Sequence, residues 1–249
     1  MALVLSPEVI RDIRFETLFE TYHDMLMRHD KPRFRGLGHA HTERFMRHAI
    51  TYCDTHKIHS VNGIGYVMFL MTYLGSYFYM DFRHREISAI LEEPAPGFDN
   101  RIDRARTAFL GFVDSFLGTK MELYAQDLAR FTTALEDAIE ADAIGEDEMI
   151  ALLLRSHGDR AYRLTPQQRQ VMVQNAGSVA NGLGLTGRQG LALALGLGYW
   201  LGFGVHQDPL YPWLRDKAQE EDDPAARTEA LTAYALKRLK RQVAMLKEG

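Results

Sequence analysis

The sequence has a single cysteine, Cys53, so no disulfide can form within the chain. A free thiol is typical of proteins in a reducing compartment. The first residues carry no positive segment ahead of their short apolar run, which excludes the usual pattern of a signal peptide. We therefore expect a cytoplasmic protein.

Basic residues are in the minority: Lys and Arg number 29 against 33 Asp and Glu, and the net charge is −4. Nucleic-acid binding needs a positive surface, and this balance gives none overall. The basic cluster at 237–241 follows directly on an acidic run at 220–223. The composition therefore predicts no nucleic-acid partner.

Charge is missing from two long stretches, 58–80 and 189–207, which contain no Asp, Glu, Lys or Arg. Each has about the length of a membrane span. Both, however, are rich in Gly, Tyr and small polar residues, which favours buried core helices over membrane insertion. We expect no membrane association, with a small membrane protein as the alternative.

Catalytic motifs are also missing. The sequence contains no Gly-x-Ser-x-Gly, no HExxH and no phosphate-binding glycine loop, although glycines are frequent between 182 and 204. Cys53 lies in a predicted helix, where a free Cys is usually packing. We predict no catalytic residue, no cofactor and no enzyme activity.

Histidines are the residues most suggestive of chemistry, because eight of ten precede residue 85. His39, His41 and His48, or His56 with His59, could supply metal ligands. No Cys or carboxylate stands at a known zinc spacing, and the second part of the chain has no equivalents. Surface histidines are favoured, and a histidine-dependent metal-binding enzyme is an alternative.

What the sequence does contain is helix signals. Ser6-Pro7, Ser60 and Thr165-Pro166 are typical N-terminal caps, as is Thr186, and Pro224 opens a terminal helix. Residues 31–38 (KPRFRGLG) are predicted to form a loop. No run alternates long enough for a sheet. The fold class is predicted to be all-α, a helical bundle with a C-terminal amphipathic helix.

An internal duplication is the most informative feature. At a shift of 127 residues, nine identities fall in the 54 positions from 28 to 81 without a gap, where composition alone gives about three. The matches include Gly75 with Gly202 and Asp81 with Asp208. We predict one domain with two pseudo-repeats, 1–95 and 102–215, each a polar helix plus an apolar helix, followed by a terminal helix at 224–247. The Pro- and Gly-containing segment 92–100 is the best boundary.

Aromatic residues cluster where the two apolar helices end. Tyr and Trp are enriched at protein interfaces because they bury large areas. The alternatives are that these rings fill the core and that the two aspartates brace the following turns. The candidate partner-binding residues are Tyr77, Tyr79, Asp81, Phe82, Asp208, Tyr211 and Trp213.

The segments RFRGLG at 33–38, NGIGYVMFLMTYLGSYFYMD at 62–81 and YWLGFGVHQDPLYPW at 199–213 carry a family resemblance. They resemble helical proteins encoded in bacterial type VI secretion gene clusters, over roughly residues 20–91 and 150–214. In that group an L-M-x-x-L-G core leads into F-D-x-D-P-x-x-P-W. Asp208-Pro209 and Pro212-Trp213 match this exit, whereas Phe82-Arg83-His84-Arg85 departs from it.

The resemblance implies a role as effector chaperone, co-adaptor or immunity partner, and it supplies no active site. We therefore expect a non-enzymatic accessory protein whose partner is a secreted effector, its adaptor or a toxin. An immunity protein that neutralises a toxin is the alternative.

Overall fold

The computed structural model describes residues 6–94, 100–118, 122–141, 145–160 and 163–248. These ranges contain helices and no strand, which confirms the predicted all-α class. The predicted boundary segment falls largely on residues 95–99, outside the described residues. The helices are α1 (Pro7–His29), α2 (Lys31–Leu37), α3 (His39–Thr55), α4 (Val61–Leu74), α5 (Arg85–Glu92), α6 (Arg101–Phe116), α7 (Glu122–Glu140), α8 (Glu146–Leu154), α9 (Pro166–Leu183), α10 (Gly187–Leu201), α11 (Pro212–Ala218) and α12 (Pro224–Glu248).

Predicted side-chain caps begin helices α1, α4 and α9. The hydroxyl of Ser60 accepts a hydrogen bond from the Gly63 amide at 3.0 Å, and that of Thr165 accepts one from the Gln168 amide at 3.2 Å. These bonds satisfy amides that have no partner in the first turn of a helix. Thr186 precedes α10 but makes no side-chain capping bond.

The predicted loop at 31–38 is wrong, because residues 31–37 form helix α2. The Asp30 carboxylate accepts a hydrogen bond from the Arg33 amide at 3.1 Å, and Pro32 lies in the first turn, where its missing N–H costs nothing. Gly38 then ends the helix. The helix is too short to form alone, so burial of Phe34 and Leu37 against the core stabilises it.

Two hydrophobic cores organise the molecule. The first half, α1 to α6, packs around α4, and the second half, α7 to α12, packs around α10. Helix α6 contributes Ala105 and Phe109 to the first core, although the predicted second pseudo-repeat began at residue 102. Both charge-free stretches are thus core helices, as predicted.

Within the described ranges, no helix combines the length and the hydrophobicity that a bilayer crossing requires.

Several backbone hydrogen bonds within the first half recur within the second half, between residues 127 positions further along the chain. Lys57 and Gly184 are also 127 apart, and both have positive φ, 56° and 64°. Even the turn after each apolar helix repeats. The recurring pairs are Ile58 N–Cys53 O with Leu185 N–Ala180 O, Met80 N–Tyr77 O with Gln207 N–Gly204 O, Asp81 N–Phe78 O with Asp208 N–Val205 O, and His84 N–Asp81 O with Tyr211 N–Asp208 O.

The halves meet where α4 and α10 end. Gly75 (φ 90°) and Gly202 (φ 107°) terminate these helices in a backbone region that side chains rarely adopt. Their backbones touch: a Cβ on Gly75 would lie 2.8 Å from Leu201 O, and one on Gly202 would lie 3.0 Å from Leu74 O. Only glycine fits this crossing at both positions.

Replacement of either crossing glycine should therefore destabilise the fold. We expect Gly75→Ala and Gly202→Ala each to lower the free energy of unfolding by about 2 kcal/mol or more, from strain and backbone overlap together. Gly111→Ala is the matched control, because Gly111 lies in helix α6 with nothing within 4 Å of an added Cβ. It should raise stability by about 0.5–1 kcal/mol. Urea unfolding measures the free energy of unfolding of the three variants. If Gly111→Ala changes it as much as the two crossing variants do, the assigned role of the crossing is contradicted.

Candidate functional site

Asp208 joins the two halves by hydrogen bonds beside the glycine crossing. Its buried carboxylate accepts hydrogen bonds from the Ser76 amide at 2.8 Å and the Ser76 hydroxyl at 2.6 Å. It also accepts one from the Leu210 amide at 2.9 Å, so it braces its own turn. Burial raises the pKa of Asp208, and these hydrogen bonds oppose that rise.

Asp81 holds the equivalent turn in the first half. Its carboxylate accepts hydrogen bonds from the Arg83 amide and the Arg83 Nε, both at 2.9 Å. Burial raises the pKa of Asp81, but the charge and hydrogen bonds of Arg83 outweigh burial and leave the pKa below its ordinary value. The structure thus gives both aspartates the bracing role and buries their carboxylates away from the surface.

Arginines from the first half cover the ends of both apolar helices. Arg33 donates to the Thr72 carbonyl of α4, and Arg83 donates to the Tyr199 carbonyl of α10 at 2.5 Å. Thr72 and Tyr199 are 127 residues apart, so the two carbonyls occupy corresponding positions. Each guanidinium satisfies a carbonyl that has no partner at the end of its helix.

Tyr77 and Tyr79 pack against α3 in the first half. The Tyr77 ring lies 4.6 Å from the His48 ring, and Tyr79 stacks on Tyr52 at 4.8 Å. Burial raises the pKa of Tyr79 to about 12. Phe82 crosses to the second half, where it meets Phe203 edge-on at 5.9 Å. These three predicted partner-binding residues are half-buried packing elements.

A central cleft of about 1240 Å³ lies between the halves. Its walls come from both halves and include eleven aromatic side chains. Tyr211 and Trp213, two of the predicted residues, line it. The aromatic wall residues are Phe69, Tyr73, Phe109, Phe112 and Phe116 from the first half, and Tyr124, Phe131, Tyr199, Trp200, Tyr211 and Trp213 from the second.

The cleft walls also contain polar groups. Gln242 donates a hydrogen bond to the Tyr124 hydroxyl at 2.9 Å. Burial raises the pKa of both Tyr124 and Tyr211, to about 12 for Tyr211, and the positive charge of Arg33 partly opposes this rise. Both tyrosines therefore remain neutral hydrogen-bonding groups at physiological pH.

His84 is a buried wall residue that the sequence pattern did not single out as a site. Its ring meets Phe112 edge-on at 5.0 Å, and its Nδ1 is buried with no hydrogen-bond partner. Burial lowers the pKa of His84 to about 4, against the opposing effect of Asp81. The feature of the sequence that pointed to His84 is its position after the first apolar helix, where Arg83-His84 departs from the motif of the resembled group.

The histidines considered as metal ligands are spread over the first half. His48 Nε2 is 3.0 Å from the Ser76 carbonyl, His56 packs on Tyr52 at 4.5 Å, and His59 lies 3.9 Å from Asp54. His39 reaches Glu43 at 4.0 Å, and His41 lines the central cleft. In the part of the chain that the structure describes, no three His, Cys, Asp or Glu side chains form a group able to hold a metal ion.

Comparison of the chain with protein-family models, with curated proteins and with solved structures finds no significant match.

The low pKa of His84 makes stability depend on pH. The unfolded chain takes up a proton on His84 below about pH 6.5, whereas the folded protein resists it until about pH 4, so stability falls as the pH drops through this window. Between pH 7 and 4.5 we expect wild type to lose about 2–3 kcal/mol more than His84→Leu.

Urea unfolding of both proteins at several pH values measures this difference. The control is the range from pH 7 to 8, where His84 is neutral in both states and the two proteins should respond alike. Parallel losses down to pH 4.5 would contradict the assignment.

Proposed function

We propose that this chain is a non-enzymatic, cytoplasmic accessory protein that binds a segment of another protein in its central cleft. The partner in this proposal is a type VI secretion effector or its adaptor, and the role is that of chaperone or co-adaptor. The observation that carries the proposal is the aromatic cleft between the halves.

The size of the cleft favours a protein segment over a small molecule. Small-molecule pockets commonly measure about 300–1,000 Å³, and this cleft exceeds that range. Helices of about 10–12 Å diameter bind into apolar grooves through residues on one face. Aromatic rings such as Trp213 and Phe112 are the side chains that most often dominate such binding.

The proposal includes an origin by duplication. Its support is the hydrogen-bond pattern that recurs at an offset of 127 residues and the paired glycines at the crossing. Two packed copies leave a groove along their junction, and each copy supplies one aromatic wall. A cleft of this kind requires both copies.

Removal of one aromatic ring from each wall tests the role of the cleft. For the double variant Phe112→Ala/Trp213→Ala we expect at least about 30-fold weaker capture of the partner, because truncation of a central aromatic anchor costs about 2 kcal/mol or more. The measurement is affinity capture from the native host, with quantification of effectors and adaptors encoded in secretion clusters.

Met80→Ala/Leu110→Ala is the matched control, since both side chains are more than half exposed and neither lines the cleft. It should capture the partner as wild type does, and thermal unfolding verifies that both double variants are folded. Equal capture by all three proteins would contradict binding in the cleft. If the captured partner is toxic alone and the chain rescues growth, the role is immunity.

A further inference from the structure

The central cleft is positively charged within a chain whose net charge is −4. Four arginines line it, Arg33, Arg83, Arg238 and Arg241, against two carboxylates, Asp127 and Asp216. Asp127 is already bound by His157, whose Nδ1 is 2.7 Å from its carboxylate, with Arg130 at 3.9 Å. Asp30 and Asp81 offset Arg33 and Arg83, so the excess positive charge at the cleft comes from Arg238 and Arg241, with Asp216 as the remaining carboxylate.

The two arginines of α12 have no carboxylate partner within the described ranges. The Arg238 guanidinium lies 4.7 Å above the Trp213 ring and 3.4 Å from the Tyr234 hydroxyl. Arg241 is exposed at the edge of the cleft. By contrast, Arg33 faces Asp30 and Arg83 faces Asp81. The uncompensated charge is thus concentrated along α12.

One face of α12 forms this edge of the cleft. The α12 residues that line the cleft share one helix face: each of them lies three or four positions from another. They are Ala235, Arg238, Leu239, Gln242 and Met245, with Arg241 beside them. Met245 is 56% exposed, so its apolar side chain faces solvent at this edge. The edge therefore presents apolar contact and positive charge side by side.

His84 also lines the cleft. It is 6% exposed, and its Nδ1 has no hydrogen-bond partner. A buried polar atom without a partner is costly. Because this nitrogen is shielded from solvent, a bound segment reaches it only if the ring moves, so the choice of partner rests on the charge of α12.

We propose that the segment bound in the central cleft is an acidic amphipathic helix. Its apolar face lies on the aromatic walls, and carboxylates spaced three or four residues apart along its flank pair with Arg238 and Arg241. This rests on the proposed function, since it names the chemistry of the segment that the cleft receives. The positive charge at this edge attracts an acidic partner and repels a basic one.

Two synthetic helical peptides of about 18 residues test the proposal, a length at which helices begin to be stable. Both carry the same Leu and Phe face, and the polar face consists of Glu in one and Lys in the other. Calorimetry with the full chain at low salt should show the Glu peptide binding about tenfold or more tightly than the Lys peptide. The preference should shrink at high salt, because the charges at the edge are exposed.

Arg238→Glu/Arg241→Glu should abolish or invert this preference. Lys237→Glu is the matched control for the single variant Arg238→Glu, because it makes the same charge change on the same helix at an exposed residue that does not line the cleft and, within the described ranges, forms no ion pair. It should keep a preference for the Glu peptide.

The outcomes separate this proposal from the proposed function. Equal binding of both peptides, lost in Phe112→Ala/Trp213→Ala, would overturn the acidic helix and leave the cleft as a protein-binding site. Tighter binding of the Lys peptide would also overturn it. If neither peptide binds at about 1 mM, the acidic helix is also overturned, and capture of the native partner then decides the proposed function alone.

Discussion

The contact between the backbones at Gly75 and Gly202 is the constraint on which the rest of the structure depends. Both apolar helices end there, and each terminal glycine occupies space that a side chain would fill. Because the helices approach this closely, Asp208 of the second half can accept hydrogen bonds from Ser76 of the first. Charge-assisted bonds of this kind, buried at the junction, hold the halves in one relative position.

Each half also contributes a side chain that packs against the core of the other half. Leu210 of the second half packs in the first core, and Phe82 of the first half packs against the second. Arg83 of the first half also donates a hydrogen bond to the Tyr199 carbonyl of the second half. Neither core is complete without a residue from the other half, so we expect the halves to unfold together.

The cleft follows from the same geometry. Its lining includes Leu74, Leu201 and Gly202 at the ends of the two central helices, together with aromatic side chains from both halves. In the proposed complex, the aromatic rings would supply area for contact, and Arg238 and Arg241 would supply selectivity. The proposed contact area belongs to half-buried rings such as Phe112 and Trp213, because the fold buries Phe131 and Tyr199.

The sequence by itself determined the all-α class, the capped starts of α1, α4 and α9, and the burial of the two charge-free stretches. These features depend on local periodicity and on capping residues such as Ser60 and Thr165, which act within a few positions along the chain. The loop predicted at 31–38 failed because α2 gains its stability from contacts distant in sequence.

Only the tertiary structure decided which aromatic residues line the cleft. Tyr77 and Tyr211 stand in similar positions after the two apolar helices, yet Tyr77 packs on His48 and Tyr211 lines the cleft. The same holds for Asp81 and Asp208, whose spacing predicted the bracing role but not the bonds of Asp208 to Ser76 across the junction. Sequence spacing fixes the face of a helix on which a residue lies, whereas its surroundings depend on how distant helices pack against one another.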